Sequence, residues 1–184
     1  MILRDIINGK HDYIDWILEK LRLIQTGLAV EFEISSDIIV MTISADGVEE
    51  NFNIVADLII KAPQINQWKF IAFRQPVAKD KVDKISVSVN GLSLKANMFK
   101  FLPLTDNGFL YVQIFSDLLT KENQNDIEYA CLLMVDNIVG EYDCVTKVKG
   151  YEFYNLSEAS DYVEELRPLS EIQEFLNDFY EIEE

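Results

Sequence analysis

Five residues combine reactive or recognising side chains with positions that favour binding: Trp68, Arg74, Glu141, Tyr142 and Asp143. Arg74 directly follows an apolar run, and a guanidinium at a strand end can hold a carboxylate through two parallel hydrogen bonds. That carboxylate belongs either to a ligand or to a structural partner such as Glu141 or Asp143, and an acidic protein favours the structural pair. Trp68 is predicted to anchor the core rather than to stack on a ligand, because tryptophan is highly buried on average.

The residue types present disfavour nucleophilic and zinc-dependent chemistry. His11 is the only histidine, and it lies far in sequence from every candidate nucleophile. Cys131 and Cys144 form neither a CxxC pair nor a disulfide framework, so we predict that they are small core residues. The chain also lacks zinc-ligand spacing and a glycine-rich phosphate loop. We therefore predict no cofactor.

Carboxylates offer the remaining route to catalysis. Asp136, Glu141 and Asp143 cluster around the predicted end of a helix, and oxygen ligands of this kind coordinate Ca²⁺ or Mg²⁺. No EF-hand spacing accompanies them, so solvated carboxylates or a hydrogen-bond network at the helix end are the favoured interpretation. The alternative function is a carboxylate- or metal-dependent hydrolase in which Arg74 orients an anionic substrate. With 32 acidic residues in the chain, composition alone singles out no catalytic pair.

Negative charge is concentrated in the C-terminal third. The formal net charge is -16, and residues 122–184 carry 17 acidic and three basic residues, a net of -14. A surface of this kind repels phosphate backbones and anionic membranes, so we predict no nucleic-acid and no membrane partner. The charge either keeps the protein soluble or faces a basic protein partner.

The positions of the five candidate residues depend on the helices and strands predicted around them. Ile38 to Ser44 and Trp68 to Arg74 are apolar runs typical of central strands, and an amphipathic helix from Val48 to Ala62 separates them. Because few residues link the three elements, we expect the two strands to be parallel. A first helix over Tyr13 to Leu23 and a strand over Leu28 to Ile34 precede them.

The remaining chain predicts mostly antiparallel strands. Asn90-Gly91 favours a type I′ hairpin turn within Ile85 to Met98, with Val89 opposite Leu92. The other predicted elements are strands over Phe99 to Leu104, Phe109 to Phe115 and Cys144 to Phe153, and helices over Asn125 to Val139 and around Ile172 to Phe179. The pattern predicts a single α+β domain over residues 1–184. We expect one mixed, mostly antiparallel sheet of about six to eight strands carrying three to four helices.

The N-terminal residues lack the pattern of a secretory signal, and no apolar stretch reaches the roughly 18 residues of a membrane span. We therefore expect a cytoplasmic protein.

Several segments together resemble a bacterial domain family of unknown function. They are ISADG, the KAP that ends the central helix, QWKFIAFRQP, GEYD and PLSE. The resemblance implies no activity, but Trp68, Arg74, Glu141 and Asp143 fall inside these segments and become candidates for a shared structural or binding role. The leading hypothesis is a non-enzymatic interaction or regulatory domain. The hydrolase and a small-molecule binding module using the apolar face of the sheet are the alternatives.

Overall fold

The computed structural model describes residues 12–35 and 38–181. His11 and the last three residues lie outside this part of the chain. Contacts divide the molecule into two compact units, Met1–Arg74 and Gln75–Glu184. The expectation of a single domain stays a prediction.

The first unit builds a three-stranded sheet in the order β1-β2-β3 from Ala29–Ser35, Ile38–Ser44 and Trp68–Ala72. β1 and β2 are antiparallel, whereas β2 and β3 are parallel with Ile39 opposite Trp68, which confirms the predicted parallel pair. Within residues 12–35 and 38–181, β3 pairs only with β2 and is an edge strand, so the prediction of a central strand is wrong. An apolar run indicates that both faces of a strand are buried, but it does not show whether the strand has a hydrogen-bonded neighbour on each side.

Two helices accompany this sheet. The predicted first helix is confirmed as α1, Asp12–Ile24, with Leu21 buried. The predicted central helix begins as a 3₁₀ turn at Glu49–Asn51 and continues as α2, Phe52–Ile60, which buries Phe52 and Val55. It ends just before Pro63, whose ring disfavours a helical conformation in the preceding residue.

The second unit contains two sheets. The predicted hairpin is confirmed as β4, Ser86–Val89, and β5, Leu92–Lys95, with Val89 opposite Leu92. Asn90 and Gly91 have φ values of 46° and 83°, as a type I′ turn requires. The four-stranded sheet has the order β8-β7-β6-β9 and consists of Lys100–Asp106 (β6), Phe109–Ser116 (β7), Gly150–Asn155 (β8) and Arg167–Pro168 (β9).

The long helix supplies the core of the second unit. It is confirmed as α3, Gln124–Val139, and the six residues predicted to face inward are fully buried: Ile127, Ala130, Cys131, Met134, Val135 and Ile138. They pack with Phe101, Val112 and Ile114 of the four-stranded sheet and with Leu176 of the last helix, α5, Ile172–Glu181.

The predicted strand from Cys144 to Phe153 is wrong in its first half. Gly140 adopts φ 83° and ψ 151°, which ends α3 and allows a new helix, α4, to form over Glu141–Thr146. The strand begins only at Gly150 and pairs in parallel with β7. Short-range apolar spacing does not distinguish a six-residue helix from a strand, because both periods fit so few residues.

The α+β fold class is confirmed. In the described residues the nine strands divide among three sheets rather than joining one mixed sheet, because the β4-β5 hairpin pairs only with itself. None of the helices in this part of the chain has the length and apolar character needed to cross a membrane.

Candidate functional site

Trp68 lies at the first position of β3 and is half-buried. Its ring stacks on Phe70 at a centroid distance of 5.9 Å and meets the edge of Phe32 at 6.3 Å. Trp68 and Phe70 also line an open groove of about 510 Å³, the β3 groove, which Ile59 and residues 62–66 complete. Trp68 therefore contributes to the aromatic packing of the sheet and to a surface concavity at the same time.

Arg74 follows β3 and engages two carboxylates. Its Nε atom lies 2.5 Å from Oε1 of Glu31 on β1, and its Nη2 atom lies 2.9 Å from Oδ1 of Asp46, just beyond β2. Asp46 has φ 53°, and its backbone N–H donates to Oγ of Ser44 at 2.8 Å. The sequence analysis predicted a structural ion pair for Arg74 with an acid such as Glu141 or Asp143, and it did not single out Glu31 or Asp46, because the pairing of β1, β2 and β3 that brings these two residues close is not visible in the sequence.

Glu141, Tyr142 and Asp143 occupy three different environments on α4. Glu141 is only 1% exposed, whereas half of the Tyr142 side chain is exposed. Asp143 forms an ion pair with Lys147 one helical turn later, at 3.0 Å. In residues 12–35 and 38–181, no three histidine, cysteine, aspartate or glutamate side chains are placed to hold a metal ion. The structure therefore gives Asp136, Glu141 and Asp143 no metal-binding arrangement within those residues.

The two cysteines have the environment of core residues. Cys131 is fully buried, and Cys144 lies with its Sγ atom 3.4 Å from Oη of Tyr151. The Tyr151 hydroxyl donates to the backbone oxygen of Cys144 at 3.1 Å. Burial raises the pKa of the Cys144 thiol to about 11 and also raises the pKa of Cys131. Both thiols are thus neutral at pH 7 and poor nucleophiles.

The five predicted site residues divide between the units. Trp68 and Arg74 belong to the first unit, and Glu141, Tyr142 and Asp143 belong to the second. Within the first unit, Trp68 begins β3 and Arg74 follows the end of this strand.

The sequence missed a second groove, which lies between β8 and the first half of α3. This β8 groove has a volume of about 450 Å³ and is lined by Gln124, Glu128 and Leu132 of α3 and by residues 151–154 of β8. The alternation of Tyr151 and Phe153 with Glu152 and Tyr154 was visible in the sequence. Its position at a sheet edge was not, since pairing partners are long-range properties of the fold.

A fixed carboxylate lies at one side of this groove. Oε2 of Glu152 accepts hydrogen bonds from Nε2 of Gln113 and from Oη of Tyr154, each at 2.9 Å. These two bonds, first that of Gln113, lower the pKa of Glu152. The Tyr154 ring stacks on Phe115 at 5.5 Å, which fixes the tyrosine and through it the orientation of the carboxylate.

A third concavity lies on α5. It has a volume of about 290 Å³, and Lys79 and Glu174 form an ion pair of 2.7 Å at its wall. Most of its other lining residues are also polar, including Ser170, Gln173 and Asn177.

Many carboxylates of the second unit remain at the surface. The acidic surface comprises the exposed acidic residues among residues 152–181 of the described chain: Glu152, Glu158, Asp161, Glu164, Glu165, Glu174, Asp178 and Glu181. The one basic residue in this stretch of sequence, Arg167, packs its guanidinium 5.3 Å from the ring of Phe175 and 5.9 Å from that of Phe101. Arg167 also contacts the carboxylate of Glu171 at 3.4 Å.

Comparison of this chain with protein-family models, with curated proteins and with solved structures found no match. The resemblance to a bacterial domain family thus stays a prediction.

Proposed function

We propose that the protein is a non-enzymatic interaction domain whose acidic surface binds a basic protein partner. The observation that carries this proposal is the placement of Arg167. This residue is the only cation in the sequence of the acidic stretch, and it turns towards Phe101, Phe175 and Glu171. Lys79 offsets the charge of Glu174 through an ion pair of 2.7 Å, and the excess of exposed carboxylates over cations in this stretch gives the acidic surface a net negative field towards solvent.

A negative field of this kind favours a cationic protein as the partner. Carboxylates on one surface raise the association rate with a cationic protein and repel polyanions, and the effect weakens as salt screens the charges. Because the charges are exposed, each contributes little to affinity by itself, and the summed field provides the selectivity.

The test uses a fluorescein-labelled deca-lysine peptide and fluorescence anisotropy at low and at physiological salt. The double variant Glu164→Gln/Glu165→Gln removes two charges from the acidic surface. The double variant Glu49→Gln/Glu50→Gln removes two exposed charges from the first unit and serves as the matched control. We expect salt-sensitive binding that the first variant weakens and the control leaves unchanged. Equal effects of both variants, or no binding at low salt, would overturn the proposal.

One observation favours a second candidate function, a small-molecule binding module. The β3 groove exposes parts of Trp68, Phe70 and Ile65 in a concavity of about 510 Å³, and apolar ligands bind in concave sites with aromatic lining. A ligand there would change the fluorescence of Trp68. Titration with a panel of apolar fluorescence quenchers, using Trp16→Phe to remove the other tryptophan, tests this candidate, and an unchanged Trp68 signal would exclude those ligands.

A further inference from the structure

The outer edge of β8 provides backbone groups that a further strand can bind. β8 pairs with β7 on one side, and no strand of the described residues pairs with its other side. Strand edges of this kind present unpaired N–H and C=O groups and are templates for another chain. At the opposite edge of the sheet, β9 is only two residues long and contains Pro168, which has no N–H to donate, so this edge offers an added strand little to bind.

The β8 groove lies directly along this edge. Its wall on the α3 side contains Leu132 and Glu128, and Tyr151 and Phe153 of β8 pack against the core on that face. Side chains alternate between the two faces of a strand, so Glu152 and Tyr154 lie on the opposite face. A strand added to the edge would place alternate side chains against Leu132 and the intervening ones beside Glu152.

The negative charge of the β8 groove favours an added strand that carries cationic side chains. The lining residues of the groove include two glutamates and no lysine or arginine. Lys149, which immediately precedes β8, directs its ammonium group 5.8 Å from the ring centroid of Phe109 and does not line the groove. The carboxylate of Glu152 is held in place by Gln113 and Tyr154 before any ligand arrives, which reduces the entropic cost of an ion pair.

We propose that the β8 edge binds an extended segment of another protein as an added strand, with lysine or arginine beside Glu152 and aliphatic residues at the alternate positions beside Leu132. The inference rests on the proposed function and specifies the partner of the second unit. Backbone hydrogen bonds supply affinity in this mode, and the alternating side chains supply selectivity.

The probe is a fluorescein-labelled heptapeptide of alternating lysine and valine, KVKVKVK. The matched peptides are EVEVEVE, KKKKVVV, and KVKVKVK N-methylated at every residue, so that its backbone donates no N–H hydrogen bond whichever of its edges faces β8. We expect KVKVKVK to bind best and the N-methylated peptide to bind at least tenfold more weakly, because several main-chain bonds are lost. Glu152→Gln should weaken binding about fivefold, the upper range for one exposed ion pair. Glu164→Gln, the control on the acidic surface outside the groove, should have a smaller effect.

Hydrogen exchange supplies a readout that does not depend on a variant. Saturation with KVKVKVK should slow the exchange of backbone amides in residues 150–155. Equal weakening by Glu152→Gln and Glu164→Gln, together with tight binding of the N-methylated peptide and unchanged exchange at β8, would overturn strand addition but leave the proposed function intact. Failure of both KVKVKVK and deca-lysine to bind at low salt would overturn both.

Discussion

Arg74 and Glu31 join the two outer strands of the first sheet, since the Nε atom of Arg74, just past β3, lies 2.5 Å from Oε1 of Glu31 on β1. β2 separates these strands, so the ion pair spans the full width of the sheet. Asp46, just past β2, receives the other branch of the guanidinium at 2.9 Å. One side chain thus connects segments that are up to 43 residues apart.

Replacing Arg74 should destabilise the protein. We expect Arg74→Gln to lower the free energy of unfolding by about 1 kcal/mol, because two partly exposed ion pairs are lost and solvent screens both. Arg74→Lys should lower the free energy of unfolding by less than Arg74→Gln but should not match the wild type, since an ammonium lacks the planar fork that reaches two carboxylates. Urea denaturation measures the change.

Lys61→Gln is the control for this prediction, because the Lys61–Asp57 pair is more exposed and links residues of adjacent helical turns. It should change stability by about 0.3 kcal/mol. Equal losses for Lys61→Gln and Arg74→Gln would contradict a special role for Arg74.

Features encoded by neighbouring residues were predicted well. The Asn90-Gly91 pair indicated the turn and the register of its hairpin, because few residue pairs tolerate two positive φ angles in succession. The spacing of apolar residues indicated α3 and its six buried positions, because a helical period sustained over 16 residues is difficult to produce otherwise.

Features that depend on distant residues were not predicted. The sequence around Trp68 does not show that β3 lies at an edge, and nothing near Arg74 indicates Glu31 as its partner. The β8 groove was missed for the same reason, since it requires knowing that α3 and the edge of β8 are neighbours. The end of α3 at Val139 was predicted, but the glycine that follows it does not show that a second helix, α4, begins there.

Gly91→Ala should destabilise the β4-β5 hairpin through the backbone alone. A Cβ atom at this position meets no atom within 4 Å, but φ is +83°, which alanine adopts at a cost of about 1 kcal/mol. Thermal or urea unfolding should show a loss of this size. Ser88→Ala, on the exposed face of the same hairpin, is the control and should leave stability nearly unchanged. An equally stable Gly91→Ala variant would show that the turn adopts another conformation.

The buried thiol of Cys144 should make stability depend on pH in the alkaline range. Burial raises its pKa from an ordinary value of 9.0 to about 11, so the folded state holds the proton more tightly than the unfolded state. The resulting stabilisation is complete below about pH 9 and is lost as the pH rises towards 11. Urea unfolding between pH 7.5 and 10.5 should therefore show a steeper decline for the wild type than for Cys144→Ser, which carries no titrating thiol. Parallel declines would indicate that the thiol is accessible to water in the folded protein.

The carboxylate of Glu152 should titrate below its ordinary value of 4.5, because Gln113 and Tyr154 donate hydrogen bonds to its charged form. NMR titration of the side-chain carboxyl carbon measures this pKa directly. Gln113→Ala removes the larger of the two causes and should raise the pKa, although the carboxylate stays exposed. Gln124→Ala is the matched control, since Gln124 donates to Glu128 and not to Glu152. If Gln113→Ala leaves the titration unchanged, the hydrogen bond from Gln113 does not fix the carboxylate, and the Tyr154 hydroxyl would have to orient it for a cation at the β8 edge.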